Sequence, residues 1–206
     1  MRIISLLLAI ALSIGSNTAA LAAGSDSNSG AVIGTVTVNG HPTSDVVISL
    51  EGIPPAAKKN SHPASYHQQV TMAQRDLKFF PYVLPVMVGT TVEFPNQDQV
   101  WHNIYSDSKV KKFDLGLYGP GKNKTVTFDT SGVVRILCNV HPTMEAYIVV
   151  EDHPNFASPD ASGNYRFEGI PLGSYHVQVW HPLLGVKTES FTLERAGEVE
   201  RIDVNL

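Results

Sequence analysis

The sequence contains a single cysteine, Cys138, among its 206 residues. One cysteine cannot form an internal disulfide, and it cannot supply the paired cysteines from which structural zinc sites are usually built. The ordinary interpretation of a lone cysteine is a buried, inert thiol that packs like a small apolar side chain. Here the residues three and six positions further on are His141 and Met144, and this spacing favours a metal site instead.

Other absences exclude several classes of function. The net charge is −4, and neither sign of charge occurs in long runs. The chain therefore lacks the basic surface typical of proteins that bind nucleic acid or anionic membranes. It also contains no Gly-x-Ser-x-Gly, His-Glu-x-x-His or phosphate-loop motif. We predict that the protein is not an enzyme and has no nucleic-acid partner.

The first residues have the pattern of a secretion signal. Arg2 precedes an apolar run, Ile3 to Ile14, that only two serines interrupt. The run is shorter than the about 20 residues that a membrane-spanning helix needs. Because Ala20-Leu21-Ala22 supplies the small-x-small pattern of a cleavage site, residues 1–22 are predicted to be a signal peptide, with an uncleaved anchor as the alternative. The mature protein is then expected in the periplasm or another extracytoplasmic space, without a membrane span.

The remaining chain has the pattern of an all-β protein. Residues 23–30 are polar and are predicted to be a disordered linker. Beyond them, short β-branched runs are separated by glycine and proline, and no helical period appears. Asn39-Gly40 is typical of a hairpin turn. The runs 83–88 and 91–94 are predicted to be paired strands joined by a turn at Gly89-Thr90.

The spacing around Cys138 predicts a copper site. Cys138, His141 and Met144 follow a predicted strand, and His102 lies upstream at the end of another β-like run. Two histidines and one cysteine with a weak axial methionine are the ligand set of blue-copper sites. The alternative is zinc, but the chain has no second cysteine, and methionine is a poor zinc ligand. We therefore predict one type 1 copper ion bound by these four residues.

Two segments, GTTVEFPNQD followed by HN and GVVRILCNVHPTM, resemble the cupredoxin family, and amicyanin and plastocyanin in particular. The resemblance covers residues 68–152 and implies a Greek-key β-sandwich with copper at the four residues named above. It also implies that the Asn103 side chain bonds the backbone near Asn139. Nearby aromatic residues, such as Phe94 and Trp101, are predicted to pack in the core or the apolar shell rather than to relay electrons.

The flanks resemble a carboxypeptidase-regulatory-like, transthyretin-type β-sandwich. Gly34-Thr35-Val36 and Gly40-His41-Pro42 match its first half, and the Gly169–Tyr175 segment matches its second. We therefore expect a second small sandwich that is split in sequence. Its halves are 31–52 and 155–206, with residues 53–67 as a connector into the inserted cupredoxin.

The predicted function is one-electron, outer-sphere transfer by Cu(II)/Cu(I) cycling, with redox proteins as partners. The cupredoxin resemblance implies that His141 is the electron gateway, in a patch with Pro142 and Leu117. One alternative is a periplasmic copper carrier, store or sensor without electron transfer. Another is that the flanking sandwich is the working part and binds carbohydrate or a partner protein.

Overall fold

The computed structural model describes residues 28–54 and 70–206 of the chain, and none of these residues lies in a helix. The predicted all-β class is therefore confirmed for the described part. The predicted signal peptide, most of the predicted linker and most of the connector 53–67 lie outside the described residues. Within those described, no helix is long and apolar enough to cross a membrane.

The strands fall into three consecutive groups along the chain. The first group is β1 (Ser29–Val38), β2 (His41–Pro42) and β3 (Val47–Glu51). The second group is β4 (Val70–Thr71), β5 (Ala73–Arg75), β6 (Lys78–Phe80), β7 (Val83–Met87), β8 (Thr90–Pro95), β9 (His102–Ser106), β10 (Phe113–Tyr118), β11 (Asn123–Phe128), β12 (Gly132–Leu137) and β13 (Glu145–Glu151). The third group is β14 (Phe156–Ala157), β15 (Asn164–Pro171), β16 (Gly173–His181), β17 (Gly185–Leu193), β18 (Val199–Arg201) and β19 (Val204–Asn205).

The first and third groups form sheets together, and we call this unit the flanking sandwich. β1 pairs with β15 in antiparallel and with β18 and β19 in parallel orientation. β3 lies between β14 and β16, and β17 follows at the edge. The two sheets enclose one apolar core, which includes Val36, Ile48, Tyr165 and Val177. Residues far apart in the sequence thus build one unit.

The second group forms the central sandwich, residues 70–151. Its larger sheet has the strand order β10-β9-β12-β13-β7, and its smaller sheet has the order β11-β8-β4. Strands β5 and β6 form a separate hairpin. The core between the sheets holds Phe94, Phe128 and Ile136, and it also contains Cys138 and Met144. The predicted metal ligands therefore lie at the edge of this core.

Three local predictions can be compared with the strands. The hairpin turn at Asn39-Gly40 is confirmed, because Val38 pairs with His41 across it. The pairing of runs 83–88 and 91–94 is wrong: β7 pairs with β13 and β8 pairs with β11 and β4, in different sheets. Alternating patterns do not distinguish a hairpin within one sheet from a crossing between sheets. The last two residues of the predicted linker, 29–30, already belong to β1, because pairing with β15 uses their backbone.

Gly34 is required by close packing within β1. An added Cβ atom would lie 1.8 Å from the Ile202 carbonyl oxygen and 2.7 Å from Cε1 of Tyr165. We expect Gly34→Ala to lower the free energy of unfolding by about 3 kcal/mol, at the upper end for overpacking. Gly40→Ala is the control, since its Cβ would meet no atom within 4 Å; we expect it to cost about 1 kcal/mol through its positive φ. Equal losses in urea titrations of the two variants would contradict the prediction.

The two sandwiches contact each other through a small apolar cluster, which we call the junction. Val47 and Phe156 of the flanking sandwich meet Val83 and Val149 of the central sandwich there. The Trp180 ring also packs edge-on against Tyr147, with 5.7 Å between the ring centroids. β3 therefore has two buried faces, because Ile48 and Leu50 belong to the flanking core while Val47 lies in the junction.

Polar groups continue the contact beside the apolar junction. The Ser49 hydroxyl donates a hydrogen bond to Glu151 Oε1 at 2.9 Å. His153 Nε2 lies 3.2 Å from Glu51 Oε1 and 3.8 Å from Glu151 Oε2. Because the backbone N–H of Asn155 donates to His153 Nδ1, the Nε2 atom of a neutral His153 carries the proton and donates towards the carboxylates.

The partly buried carboxyl of Glu151 predicts a pH effect on stability. Burial raises the pKa of Glu151 above its ordinary value of 4.5, although the hydrogen bond from Ser49 and the charge of His153 oppose the rise. The folded protein therefore binds this proton more tightly than the unfolded chain, and the stability from this group is lost as pH rises through the folded-state pKa. Glu151→Gln should gain stability relative to wild type as pH rises above about 4.5. Urea titrations from pH 4 to 7 measure the difference, and a constant difference would contradict the prediction.

Candidate metal centre

Strand pairing brings the predicted ligands His102, Cys138 and His141 together. His102 is the first residue of β9, and Cys138 directly follows the last residue of β12. Leu137, the residue before Cys138, pairs with Tyr105 of β9. Because the two strands are antiparallel, the chain that continues past Leu137 to Cys138 runs towards His102 at the start of β9. His141 lies in the loop that follows, so one loop and one neighbouring strand supply three donor atoms.

The three donor atoms are separated by distances that suit one metal ion. Cys138 Sγ lies 3.9 Å from Nδ1 of His102 and 3.9 Å from Nδ1 of His141, and the two Nδ1 atoms are 3.1 Å apart. A planar site with metal–nitrogen distances of about 2.0 Å and a metal–sulfur distance of about 2.3 Å would separate the nitrogens by about 3.5 Å and nitrogen from sulfur by about 3.8 Å. The donor set fits a transition metal with both histidines bound through Nδ1.

The site is closed to solvent on the side of the core. His102 is fully buried and Cys138 is 3% exposed, while His141 is only partly covered. The soft sulfur donor therefore lies in apolar surroundings, and the ring of His141 is the part of the ligand set that reaches towards the surface. Such a site can hold a metal ion that is largely shielded from solvent.

Met144 returns the loop to the core. Its backbone N–H donates to the His141 carbonyl at 2.9 Å, which closes a tight turn through Pro142 and Thr143. The Met144 side chain is 1% exposed and belongs to the same apolar cluster as Cys138. Its position immediately before β13 suits an axial ligand, and this role stays a prediction.

Asn103 connects the two ligand segments. Its side-chain Oδ1 accepts a hydrogen bond from the Asn139 backbone N–H at 3.4 Å, which is the bond expected from the sequence. Its Nδ2 donates to Asp114 Oδ1 at 2.6 Å. Hydrogen bonds from the Gly116 N–H and from Asn103 lower the pKa of Asp114, so this carboxylate is an ionised acceptor. Asn103 therefore holds the loop after Cys138 against β9 and β10.

Asp98 is a residue of the site that the sequence did not reveal. Its Oδ2 lies 2.9 Å from Nε2 of His102, on the side of the ring away from Cys138. Backbone N–H groups of Asp76 and Leu77 donate to the same carboxylate at 2.7 and 3.1 Å. Burial alone raises the pKa of Asp98, but the hydrogen bonds from Leu77, His102 and Asp76 outweigh burial and lower it. The available signal in the sequence was a carboxylate four residues before the predicted ligand His102, in a turn that brings the two together.

Four exposed apolar side chains flank the ligands, and we call them the apolar rim. Trp101 adjoins His102 and Val140 adjoins His141 in sequence. Val100 precedes Trp101, and Leu117 pairs with Asn103, the residue after His102. Their exposed fractions are 60% for Trp101, 59% for Leu117, 45% for Val140 and 42% for Val100. Of the two places predicted for Trp101, the core or the apolar shell, the core is wrong, because Trp101 precedes the first residue of β9 and its side chain lies at the surface. Phe94, in contrast, is fully buried as predicted.

Comparison with known proteins identifies a similarity over the central sandwich. Residues 66–151 match the model of a family described as copper binding proteins, plastocyanin/azurin family. Among curated proteins, no sequence matches the chain. The match spans both ligand segments of the metal cluster and ends at the last residue of β13.

Several solved structures are also similar to this chain. A purple cupredoxin from Nitrosopumilus maritimus is 24% identical, with a TM-score of 0.38, over 40% of this chain and 100% of its own. A Cu-containing nitrite reductase from Thermus scotoductus SA-01 is 27% identical, with a TM-score of 0.40, over 49% of this chain and only 27% of its own. A mutant of amicyanin with Cu(I) is 20% identical, with a TM-score of 0.39, over 50% of this chain and 98% of its own.

The segment with the family match is the segment that carries the metal cluster. His102, Cys138 and His141 all lie within it, and their donor atoms are within 4.8 Å of one another. The matched bounds nearly coincide with the central sandwich and with the stretch that resembles cupredoxins in sequence. Residues 66–151 are therefore similar to the plastocyanin/azurin family of copper-binding proteins, and the cupredoxin prediction is supported for this part of the chain.

Proposed function

We propose that the protein is an exported type 1 copper protein that transfers single electrons. The observation that carries the proposal is the cluster of one thiol and two imidazole nitrogens, 3.1 to 3.9 Å apart, in the segment that matches a copper-binding family. When bound, copper supplies the Cu(II)/Cu(I) couple. The thiolate favours Cu(I), and imidazole suits both states, so the ligand set accommodates either.

The surroundings of the ligands suit electron transfer because they hold each ligand in place. His102 is fixed by Asp98, and Cys138 lies between a paired strand and a loop that Asn103 holds. A site whose ligands are held in one geometry rearranges little when the oxidation state changes.

The apolar rim supports the proposal that a redox partner protein docks at this part of the surface. Its four side chains flank His102 and His141, and His141 is the ligand that is only partly covered. A partner seated on the rim would approach the metal through the His141 ring without opening the site. Small contacts of this kind are typical of transient electron-transfer encounters.

Visible and EPR spectra of the mature protein with one equivalent of Cu(II) test the proposal. We expect an intense thiolate-to-copper band that is absent from the His102→Ala variant, because that variant lacks one of the three donors. A colourless complex would overturn the proposal. Fast, reversible voltammetry is expected of an electron carrier, whereas rapid loss of copper to a chelator with slow voltammetry would favour a copper carrier or store.

The Met144→Ala variant tests whether Met144 is a weak axial ligand or one of the primary ligands of the metal. Because the axial bond of such sites is weak, we expect the variant to keep its copper and its visible band while its potential shifts. The buried methionine also fills core volume, so the free energy of unfolding should fall by about 2–5 kcal/mol. Voltammetry and urea titration measure the two effects. Complete loss of copper would show that Met144 is a primary ligand.

The remaining proposals concern the flanking sandwich and the location of the protein. We infer that the flanking sandwich is one transthyretin-type domain with the central sandwich inserted into it. The pairing of β1 with β15 and of β3 with β16 across the insertion supports this. The domain would bind a partner protein or carbohydrate. Export to the periplasm through residues 1–22 is tested by mass spectrometry of the mature N-terminus.

A further inference from the structure

We propose that Asp98 is a positioning residue that fixes the ring of His102 and makes the site favour Cu(II) over Cu(I). The proposal rests on the proposed copper function. It follows from the hydrogen bonds around this carboxylate, from the turn that clamps it, and from its burial beside the ligand.

The hydrogen bonds of Asp98 determine which nitrogen of His102 faces the metal site. Each oxygen of the Asp98 carboxylate already accepts a backbone N–H, so this group is the acceptor towards the ring, and the proton between Asp98 Oδ2 and His102 Nε2 belongs to the histidine. A neutral ring with its proton on Nε2 has a free lone pair on Nδ1. That Nδ1 atom is the one 3.9 Å from Cys138 Sγ. Asp98 thus selects the tautomer and the orientation that a metal ligand needs.

A dedicated turn holds Asp98 in place. The hairpin of β5 and β6 is not part of the sheets that carry the ligands, and Arg75 pairs with Lys78 around its two-residue turn. Both turn residues, Asp76 and Leu77, have positive φ angles of 55° and 56°. Two consecutive residues in this conformation direct their N–H groups to one side, and both donate to the Asp98 carboxylate. The left-handed region is unfavourable for a bulky residue such as leucine, and such conformations cluster at functional sites.

The negative charge of Asp98 lies where it can change the electronic properties of the His102 ring. The Asp98 side chain is only 13% exposed and the His102 side chain is fully buried, so water screens the interaction poorly. A negative charge bonded to the far side of the imidazole raises the basicity of the ring and stabilises the ion of higher charge. Asp114 offers a natural comparison, since it bonds Asn103 rather than a ligand ring.

Variants of Asp98 test the proposal against the Asp114→Asn control. Asp98→Asn keeps an oxygen that can accept the His102 proton but removes the charge, and Asp98→Ala removes both. We expect Asp98→Asn to lower the Cu(II) affinity about 10–100-fold, the range typical for partners of metal ligands. The Cu(I) affinity should fall much less, so the potential rises. Asp114→Asn should change the two affinities by a similar factor. Competition with chelators for each oxidation state, and voltammetry, measure these effects.

A second measurement needs no copper. Nitrogen NMR of the metal-free wild type should show His102 with its proton on Nε2, and Asp98→Ala should show a mixture of tautomers. An unchanged ratio of Cu(II) to Cu(I) affinity in Asp98→Asn would overturn the electronic part, and a proton on Nδ1 in the wild type would overturn the positioning part. Failure of the proposed function appears differently, as a wild-type protein without the thiolate band. If Asp98→Ala does not fold, the copper affinities of Asp98→Asn still test the electronic part, and the NMR spectrum of the wild type still tests the positioning part.

Discussion

Replacement of Cys138 by serine is expected to abolish the intense visible band of the copper protein and to lower its affinity for Cu(I) at least 100-fold. Cys138 is the only sulfur donor among the three clustered residues, and thiolate is the ligand that favours Cu(I) most strongly. Loss of a residue that only supports a metal ligand already costs about 10–100-fold in affinity, so loss of a ligand should reach or exceed the upper end.

The serine variant is chosen so that the fold survives. Serine has nearly the shape of cysteine, and the cost of burying its hydroxyl at a site that is 3% exposed is about 1–3 kcal/mol. Asn139→Ala is the matched control in the same loop: its side chain is exposed, and the backbone N–H that bonds Asn103 is retained. Visible spectra and competition with a Cu(I) chelator measure the difference. A visible band that persists in Cys138→Ser but not in His102→Ala would exclude the thiolate as its source.

The sequence predicts the candidate ligands because their pattern depends on local spacing. Cys138, His141 and Met144 lie within one loop, and the strand pattern on either side sets the direction in which that loop turns. His102 required one additional inference, that its strand lies beside the strand leading to Cys138. The pairing of Leu137 with Tyr105 places these two strands side by side. The class of the fold follows in the same way, since alternation and turn residues are local properties.

Non-local features could not be predicted in the same manner. β7 and β8 are joined by a short turn, yet each pairs with strands that are distant in sequence. Asp98 is held by backbone N–H groups of the β5–β6 hairpin. Every residue except proline has such a group, so the side chains in the sequence do not show which residues donate. Trp101 shows the opposite problem, because its apolar character suggests burial while its place in the loop before β9 leaves it at the surface.

Replacement of Val47 by aspartate is expected to separate the unfolding of the two sandwiches. Val47 is 1% exposed and lies in the junction with Val83 and Val149, where no basic group belongs to the cluster. An unpaired charge at such a position should cost about 4 kcal/mol or more. Because Val47 belongs to β3 of the flanking sandwich, that sandwich should melt first in calorimetry. The central sandwich should retain its copper band until a second, higher transition.

Val186→Asp is the matched control for this substitution. Val186 pairs with Trp180 across β16 and β17, so it lies on the same face of the same sheet, but it is 54% exposed. The same change of residue there should leave the calorimetric profile nearly unchanged. Simultaneous loss of the copper band and of both sandwiches in Val47→Asp would contradict the prediction. That result would mean that the copper site depends on the flanking sandwich for its folding, although each sandwich encloses its own buried core.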